Sequence, residues 1–305
     1  MAIKALITGS EGQLARALVE RASGRPDMDV VCVGRPVFDL EDVETIAPAL
    51  HAVSADVVIN AAAYTAVDQA EDEPERAMRI NGDAAGAVAH AARSMDAKLI
   101  QISTDYVYDG AKPSPYVETD DVAPQGVYGL SKRRGEEMVA AAHPGAIIVR
   151  TAWIYSPFGR NFVKTMLALG GTGDQLSVVD DQVGNPTSAH DLADALLAMM
   201  AHWRFDPGRG AGQIYHCAGR GQATWCTFAR HIFTASGAHG GPAANVRAIE
   251  SSAWPTKAVR PKNSRLDCDK LGRDFDWTMP AWQASVGGVV GRLSGGGQTC
   301  SGRRA

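Results

Sequence analysis

The first twenty residues constrain this chain most. Ile3-Lys-Ala-Leu-Ile-Thr8 is a short apolar run, and Gly9-Ser-Glu-Gly12-Gln-Leu-Ala15 follows without a break. Leu14, Leu18 and Val19 then recur at helical spacing. Strand, tight glycine turn, helix is the context in which such glycine spacing signals a dinucleotide site. Gly9 permits the turn, Gly12 lets backbone approach a pyrophosphate, and Ala15 takes the third small position, where helix packs on strand. The pyrophosphate would then meet a helix N-terminus, whose free N–H groups and dipole favour anions. The bland alternative is an ordinary glycine turn.

Downstream, the chain keeps one rhythm. Apolar strand-like runs at 30–33, 57–60, 99–103 and 146–150 alternate with helical spacing at 40–52, 76–93 and 128–142. Such alternation argues for a parallel sheet with right-handed crossovers. In these sheets ligands bind beyond the carboxyl ends of the strands, where Gly9, Arg35, Asn60 to Ala63, Thr104 and Trp153 fall. After about residue 150 the pattern loosens, and 157–188 and 207–280 are rich in glycine, proline and loop residues. The expected fold is therefore α/β: a Rossmann-type doubly wound parallel sheet with a smaller discontinuous substrate-binding lobe. The dinucleotide domain is expected over 1–150, with 187–205 returning to it as a helix. The lobe is expected over 151–186 and 206–293, and a glycine-rich flexible tail over 294–305.

The second chemical signal is Tyr128-Gly-Leu-Ser-Lys132, which follows Ser103-Thr104-Asp105-Tyr106. On a helix, residues i and i+4 share a face. An ammonium one turn from a phenol favours the phenolate and draws the phenol's pKa from near 10 toward neutrality. With the Thr104 hydroxyl holding a substrate oxygen, this is a proton-transfer device for interconverting carbonyl and alcohol. Alone, Tyr-x-x-x-Lys is a weak motif; joined to the N-terminal glycine turn it points to a nicotinamide oxidoreductase.

Composition bounds the alternatives. Of 305 residues 45% are hydrophobic and 21% charged, ordinary for a globular protein with a sizeable core. A net charge of −4 gives no argument for nucleic acid or an anionic membrane. No apolar run reaches the length of a membrane span, and the N-terminus enters a strand with no signal-peptide pattern, so a cytoplasmic location is expected. Five scattered cysteines (Cys32, Cys217, Cys226, Cys268, Cys300) form no Cys-x-x-Cys and read as reduced thiols. Eight dispersed histidines include no HExxH, and no metal is expected.

With these motifs in order, the chain resembles the extended short-chain dehydrogenase/reductases and, within them, the dTDP-4-dehydrorhamnose reductases. The narrower likeness rests on Asn60-Ala-Ala-Ala-Tyr-Thr-Ala-Val-Asp-Gln-Ala-Glu, Ser103-Thr-Asp-Tyr-Val-Tyr-Asp-Gly and Arg150-Thr-Ala-Trp-Ile-Tyr. Gly159-Arg-Asn-Phe-Val-Lys-Thr-Met, Asp181-Gln-Val-Gly-Asn-Pro-Thr and Arg260-Pro-Lys-Asn-Ser-Arg-Leu add to it. The resemblance implies reduction of the C4 keto group of a nucleotide sugar, with Tyr128 as catalytic acid, Lys132 as its partner and ribose ligand, and Thr104 at the serine position. It also implies that Thr104, Asp105, Trp153 and Arg260 meet the substrate. Gly9, Gly12, Gln13, Leu14, Arg35, Asp39, Leu40, Ala62, Ala63, Tyr64 and Thr65, with Tyr128 and Lys132, would line the cofactor. The product would feed a rhamnose-containing cell-surface polysaccharide.

Each residue has a plainer reading. Thr104 could cap a turn, Asp105 could form an Asx turn, Asp39 could be a capping residue, Trp153 could be core, and 260–265 a solvated basic loop. Another nucleotide-sugar reductase or epimerase would keep the Tyr/Lys pair too, whereas a non-catalytic regulatory relative would be expected to lose it. Two departures from the family pattern matter. After the second strand stands Gly34-Arg35 where NAD-selective folds place an acid, so NADPH is expected, with NADH still open. Some relatives bridge a dimer through magnesium on glutamates, but the matching Ala15, His190 and Arg292 carry no carboxylate. A monomer or a weak homodimer without a magnesium bridge is the expectation.

Overall fold

The computed structural model describes residues 2–171 and 175–295. Its centre is a six-stranded, wholly parallel sheet. Strands β1 (Ile3–Thr8), β2 (Met28–Val33), β3 (Val57–Asn60), β4 (Lys98–Thr104) and β5 (Ile147–Thr151) are joined by a sixth, Ile214–His216. Across the sheet the order is β2, β1, β3, β4, β5, then Ile214–His216. The strand order reverses between β1 and β3, so their carboxyl ends open the crevice in which such folds bind ligands.

Both faces are covered, which is why the strands read as continuous apolar runs. One face packs Leu14 and Leu18 of the Gln13–Ala22 helix and Leu192, Leu196 and Met200 of the Ala189–His202 helix against Ile7, Ile59 and Ile100. The other packs Ile46 and Leu50, Val88 and Ala92, and Val139 against Leu6, Val58 and Leu99. Helical spacing over 40–52 yields a shorter helix than expected, Ile46–His51, preceded by a 3-10 turn. The reason is local: Asp39 and Asp42 accept backbone N–H bonds in turns of their own.

Over 76–93 the helical pattern is one run widened at Arg79–Asp83 by a π turn. The widening turns Asn81 inward, where its side chain clamps both the N–H (2.8 Å) and the carbonyl (3.0 Å) of Tyr64. The Val127–Ala142 helix can lie against that turn only because position 135 is glycine: a Cβ there would stand 2.1 Å from the Asn81 carbonyl oxygen.

Beyond β5, three two-stranded pairings tie the remaining segments together: Leu176–Val179 with Val246–Ile249, Val183–Gly184 with Ala223–Thr224, and Ile154–Tyr155 with Thr187–Ser188. They enclose a separate core of Tyr155, Val163, Phe228, Ile232, Trp282 and Val286. The last helix runs Trp282–Gly295, so it includes the first two residues of the tail expected over 294–305; the rest of that stretch, with Cys300, lies outside the described residues. Cys32, Cys217, Cys226 and Cys268 are free thiols. Among the described residues no helix is long and apolar enough to cross a membrane.

Candidate active site

The glycine turn has the geometry a pyrophosphate requires. Gly9 sits at φ +85°, and a Cβ on it would press against Ala62 at 3.1 Å, so glycine brings the turn against the loop after β3. Gly12 caps the Gln13–Ala22 helix with no side chain on the helix N–H groups, which leaves them for an anion. Thr8 at the end of β1 fixes the loop opposite: its hydroxyl donates to Asn60 Oδ1 (2.7 Å) and accepts from the N–H groups of Ala61 and Ala62 (3.1 Å each). Arg35 stands two residues beyond β2, exposed, with no side-chain partner among the described residues. These residues fit a dinucleotide.

Other expected cofactor residues are placed with their side chains elsewhere. Leu14 and Leu40 are buried in the two cores of the sheet, so only their backbone is left for a ligand. Gln13 Oε1 accepts from Ser156 Oγ (2.8 Å) and Asn161 Nδ2 (2.9 Å), which ties the helix start to the lobe. Asp39 Oδ1 caps its own turn on the Glu41 N–H. Ala63 and Thr65 flank Tyr64, whose hydroxyl donates to Glu73.

The chemical groups converge at the carboxyl end of β4. Thr104 ends that strand buried, its hydroxyl donating to Asp105 Oδ1 (2.9 Å) and accepting from the Tyr106 N–H (3.2 Å). Tyr128 packs edge-on against Tyr106, ring centroids 5.5 Å apart. Burial pushes the Tyr128 phenol up to about 12; hydrogen bonding to Thr104 draws it back, while the nearby Asp105 charge adds to the rise. Lys132, one turn on, is buried and donates to the Ile102 carbonyl at 2.7 Å. Burial pushes its ammonium down to about 8, against the pull of Glu136. In the chain alone the lysine faces backbone, and Thr104 is the group that draws the phenol down.

Asp105 is buried, and its Oδ2 has no hydrogen-bond partner among the described residues. Burial raises its carboxyl to about 6, with Ser264 and Thr104 pulling the other way. Trp153 follows β5 with φ +46°, a conformation that costs energy for a bulky residue and points to an imposed position. It is held by a face-to-face stack on Trp225, centroids 3.5 Å apart. Arg260 reaches Asp68 at 2.6 Å, and both charges act on the Tyr106 phenol.

Sequence reasoning passed over several of these partners. Asp68 and Ser264 lie within passages that carry the resemblance but were given no role of their own, and Trp225 gave no local signal. Glu136 did, since it continues the Tyr128, Lys132 spacing by another four residues and so shares their face. At the magnesium-matching positions, Ala15 is fully buried, while His190 and Arg292 both engage Glu20, at 3.2 and 2.6 Å. Among the described residues no three His, Cys, Asp or Glu side chains are grouped to hold a metal.

Comparison with known proteins decides the family. Residues 3–294 match the RmlD substrate binding domain. The chain belongs to that family. It is 44% identical over 287 residues to the dTDP-4-dehydrorhamnose reductase of Sinorhizobium fredii, covering 94% of this chain and 96% of that protein. The Burkholderia thailandensis protein of the same description is 38% identical, covering 93% and 97%. Among solved structures, a dTDP-4-dehydrorhamnose reductase from Clostridium acetobutylicum superposes with a TM-score of 0.87 at 37% identity, covering 95% and 99%. One from Bacillus anthracis, in complex with NADP, gives 0.86 at 34%, covering 95% and 99%.

Proposed function

We infer that this family member is a dTDP-4-dehydrorhamnose reductase: an oxidoreductase that reduces the C4 keto group of dTDP-4-dehydro-L-rhamnose with NADPH, giving dTDP-L-rhamnose. The observation that carries this is Tyr128 hydrogen-bonded with Thr104 at the carboxyl end of β4, with buried Lys132 one helical turn on, in a chain matching such reductases over nearly its whole length. The proposed cofactor residues are the backbone of Gly9, Gly12, Gln13 and Leu14 around the pyrophosphate, Arg35 at the ribose 2′-phosphate, and Asp39, Leu40 and Ala62 to Thr65 along the adenosine side. Residues 1–150 with 187–205 would hold it, and 151–186 with 206–293 would present the sugar.

When bound, NADPH supplies the hydride for the keto carbon. The chain's own residues handle the oxygen. As negative charge develops there, Tyr128 gives its proton; the phenol carries that proton throughout the neutral range, and hydrogen bonding with Thr104 offsets part of the rise that burial imposes on it. Thr104 lies beside Tyr128 and orients the same oxygen. Lys132, charged below about pH 8, adds a positive field to the developing oxyanion and meets the nicotinamide ribose. Asp105 Oδ2, without a partner among the described residues, is an acceptor suited to a sugar hydroxyl, and Trp153, fixed by its stack on Trp225, would meet the sugar ring. A cytoplasmic enzyme that is a monomer or weak homodimer completes the reading.

The test is loss of nicotinamide absorbance with purified protein, dTDP-4-dehydro-L-rhamnose, and NADPH or NADH in parallel. Substrate-dependent oxidation yielding dTDP-L-rhamnose is expected. Folded protein that consumes neither cofactor would refute the assignment.

A further inference from the structure

The segment that carries Arg260 is pinned at two places. Downstream, Asn263 N–H donates to the Gly110 carbonyl (3.2 Å), and Lys262 and Ser264 exchange backbone bonds with Val183 (2.8 Å each). Ser264 then reaches Asp105. Upstream, a single carboxylate does the work: Asp68 Oδ2 accepts from Arg260 Nη2 at 2.6 Å, and Asp68 Oδ1 accepts from the Ala258 N–H at 3.2 Å. Four residues on, Asp72 pairs with Lys257. Asp68 lies on the Val67–Ala70 turn of helix, three residues after Thr65. Its neighbour Glu71 accepts from the Val127 N–H at 2.8 Å, at the start of the helix that bears Tyr128.

We propose that Asp68 is a positioning residue for the substrate's diphosphate: by holding Arg260 and the Ala258 N–H together, it fixes the guanidinium near Tyr106, which packs on Tyr128. The proposal rests on the reading of Arg260 as a diphosphate ligand. Arginine is suited to that part, because its planar fork can pair with Asp68 on one edge and keep N–H groups for phosphate oxygens on another. Without the carboxylate, a side chain of four torsions would have to be ordered at the moment of binding, at a cost in affinity.

The experiment is calorimetric binding of dTDP to the full chain, beside steady-state kinetics with the sugar nucleotide. Asp68→Ala is expected to weaken dTDP about fivefold, the size of a good partly exposed ion pair, and to raise KM more than it lowers kcat. Asp68→Glu should recover most of the loss. In an Arg260→Ala background Asp68→Ala should cost nothing further, since its effect passes through the arginine. Unaltered dTDP affinity in Asp68→Ala, or an equal loss with and without Arg260, would overturn the proposal. A wild-type protein that binds no dTDP while oxidising NADPH would instead overturn the reading of Arg260, and the proposal with it. Thermal melting confirms that each variant is folded before its affinity counts.

Discussion

The Val127–Ala142 helix buries two charged side chains on successive turns and treats them oppositely. Glu136 is completed on every side: Arg150 donates to both carboxylate oxygens (2.8 and 2.7 Å), and Ser103 donates to Oε1 (2.6 Å). Burial pushes this carboxyl up, but Arg150, Ser103 and Arg133 outweigh it and hold it below its ordinary value. The arginine is itself buried and passes on to Tyr108 Oη (2.7 Å), which meets His216 Nε2 (2.7 Å). His216 is pushed by burial down to about 3, so the network has no group that changes charge near neutrality. Lys132 is equally buried yet has one hydrogen bond among the described residues, to a backbone carbonyl, and sits at about 8. One turn of helix separates a charge built to stay from a charge built to move. The first is structure; the second is the kind of site where function is found.

Tyr128→Phe gives the largest expected effect. It removes the proposed proton donor, so kcat should fall by about 10²–10⁴ while NADPH affinity and melting temperature hold. Retained activity would move proton donation to another group. Glu136→Ala comes next and acts through stability. An uncompensated buried Arg150 should cost about 3–5 kcal/mol, read as a fall in the denaturation midpoint. A loss under about 1 kcal/mol, the size of an exposed pair, would mean that the network is wetter than the structure shows.

The same contrast explains what was legible in sequence. The alternation of strands and helices and the glycine turn are local signals: the strand runs fall on β2 to β5, the helical runs on helices, and the turn joins β1 to the Gln13–Ala22 helix. Thr104, Tyr128 and Lys132 could be picked out because spacing along one helix and one strand end is written in the chain. Glu136 lay within reach of that reasoning, but its partner Arg150 is brought in by the strand beside β4. Glu20, held by His190 and Arg292 from helices far along the chain, shows the same limit. A pairing between remote segments has no local pattern. The positive φ of Trp153 and the burial of Leu14 and Leu40 likewise come from tertiary packing, not from their neighbours.

Lys132→Met sharpens the comparison from the other side. The lysine is charged below about pH 8 in the folded chain, against an ordinary value of 10.5. Between those values the unfolded chain binds more protons, so this residue makes stability rise with pH there and is least favourable below about 8. Lys132→Met should therefore raise the melting temperature at pH 7 and raise it less at pH 10. Activity should move the opposite way: low and flat with pH in the variant, falling through about pH 8 in the wild type. A variant that is less stable at pH 7 would show that the ammonium is better solvated than its single bond implies.

Arg35 lies outside both regions and carries the smallest predicted change. It is exposed at the carboxyl end of β2, without a partner among the described residues, so removing it should leave the fold intact. If it meets the 2′-phosphate, Arg35→Ala should raise KM for NADPH about tenfold, the scale of one charge-assisted contact, and leave NADH within about twofold. Equal losses with both cofactors would place the guanidinium on the adenine ring instead, since the adenine is common to the two and the 2′-phosphate is not. The ratio of the two effects separates those positions, because each cofactor serves as the control for the other.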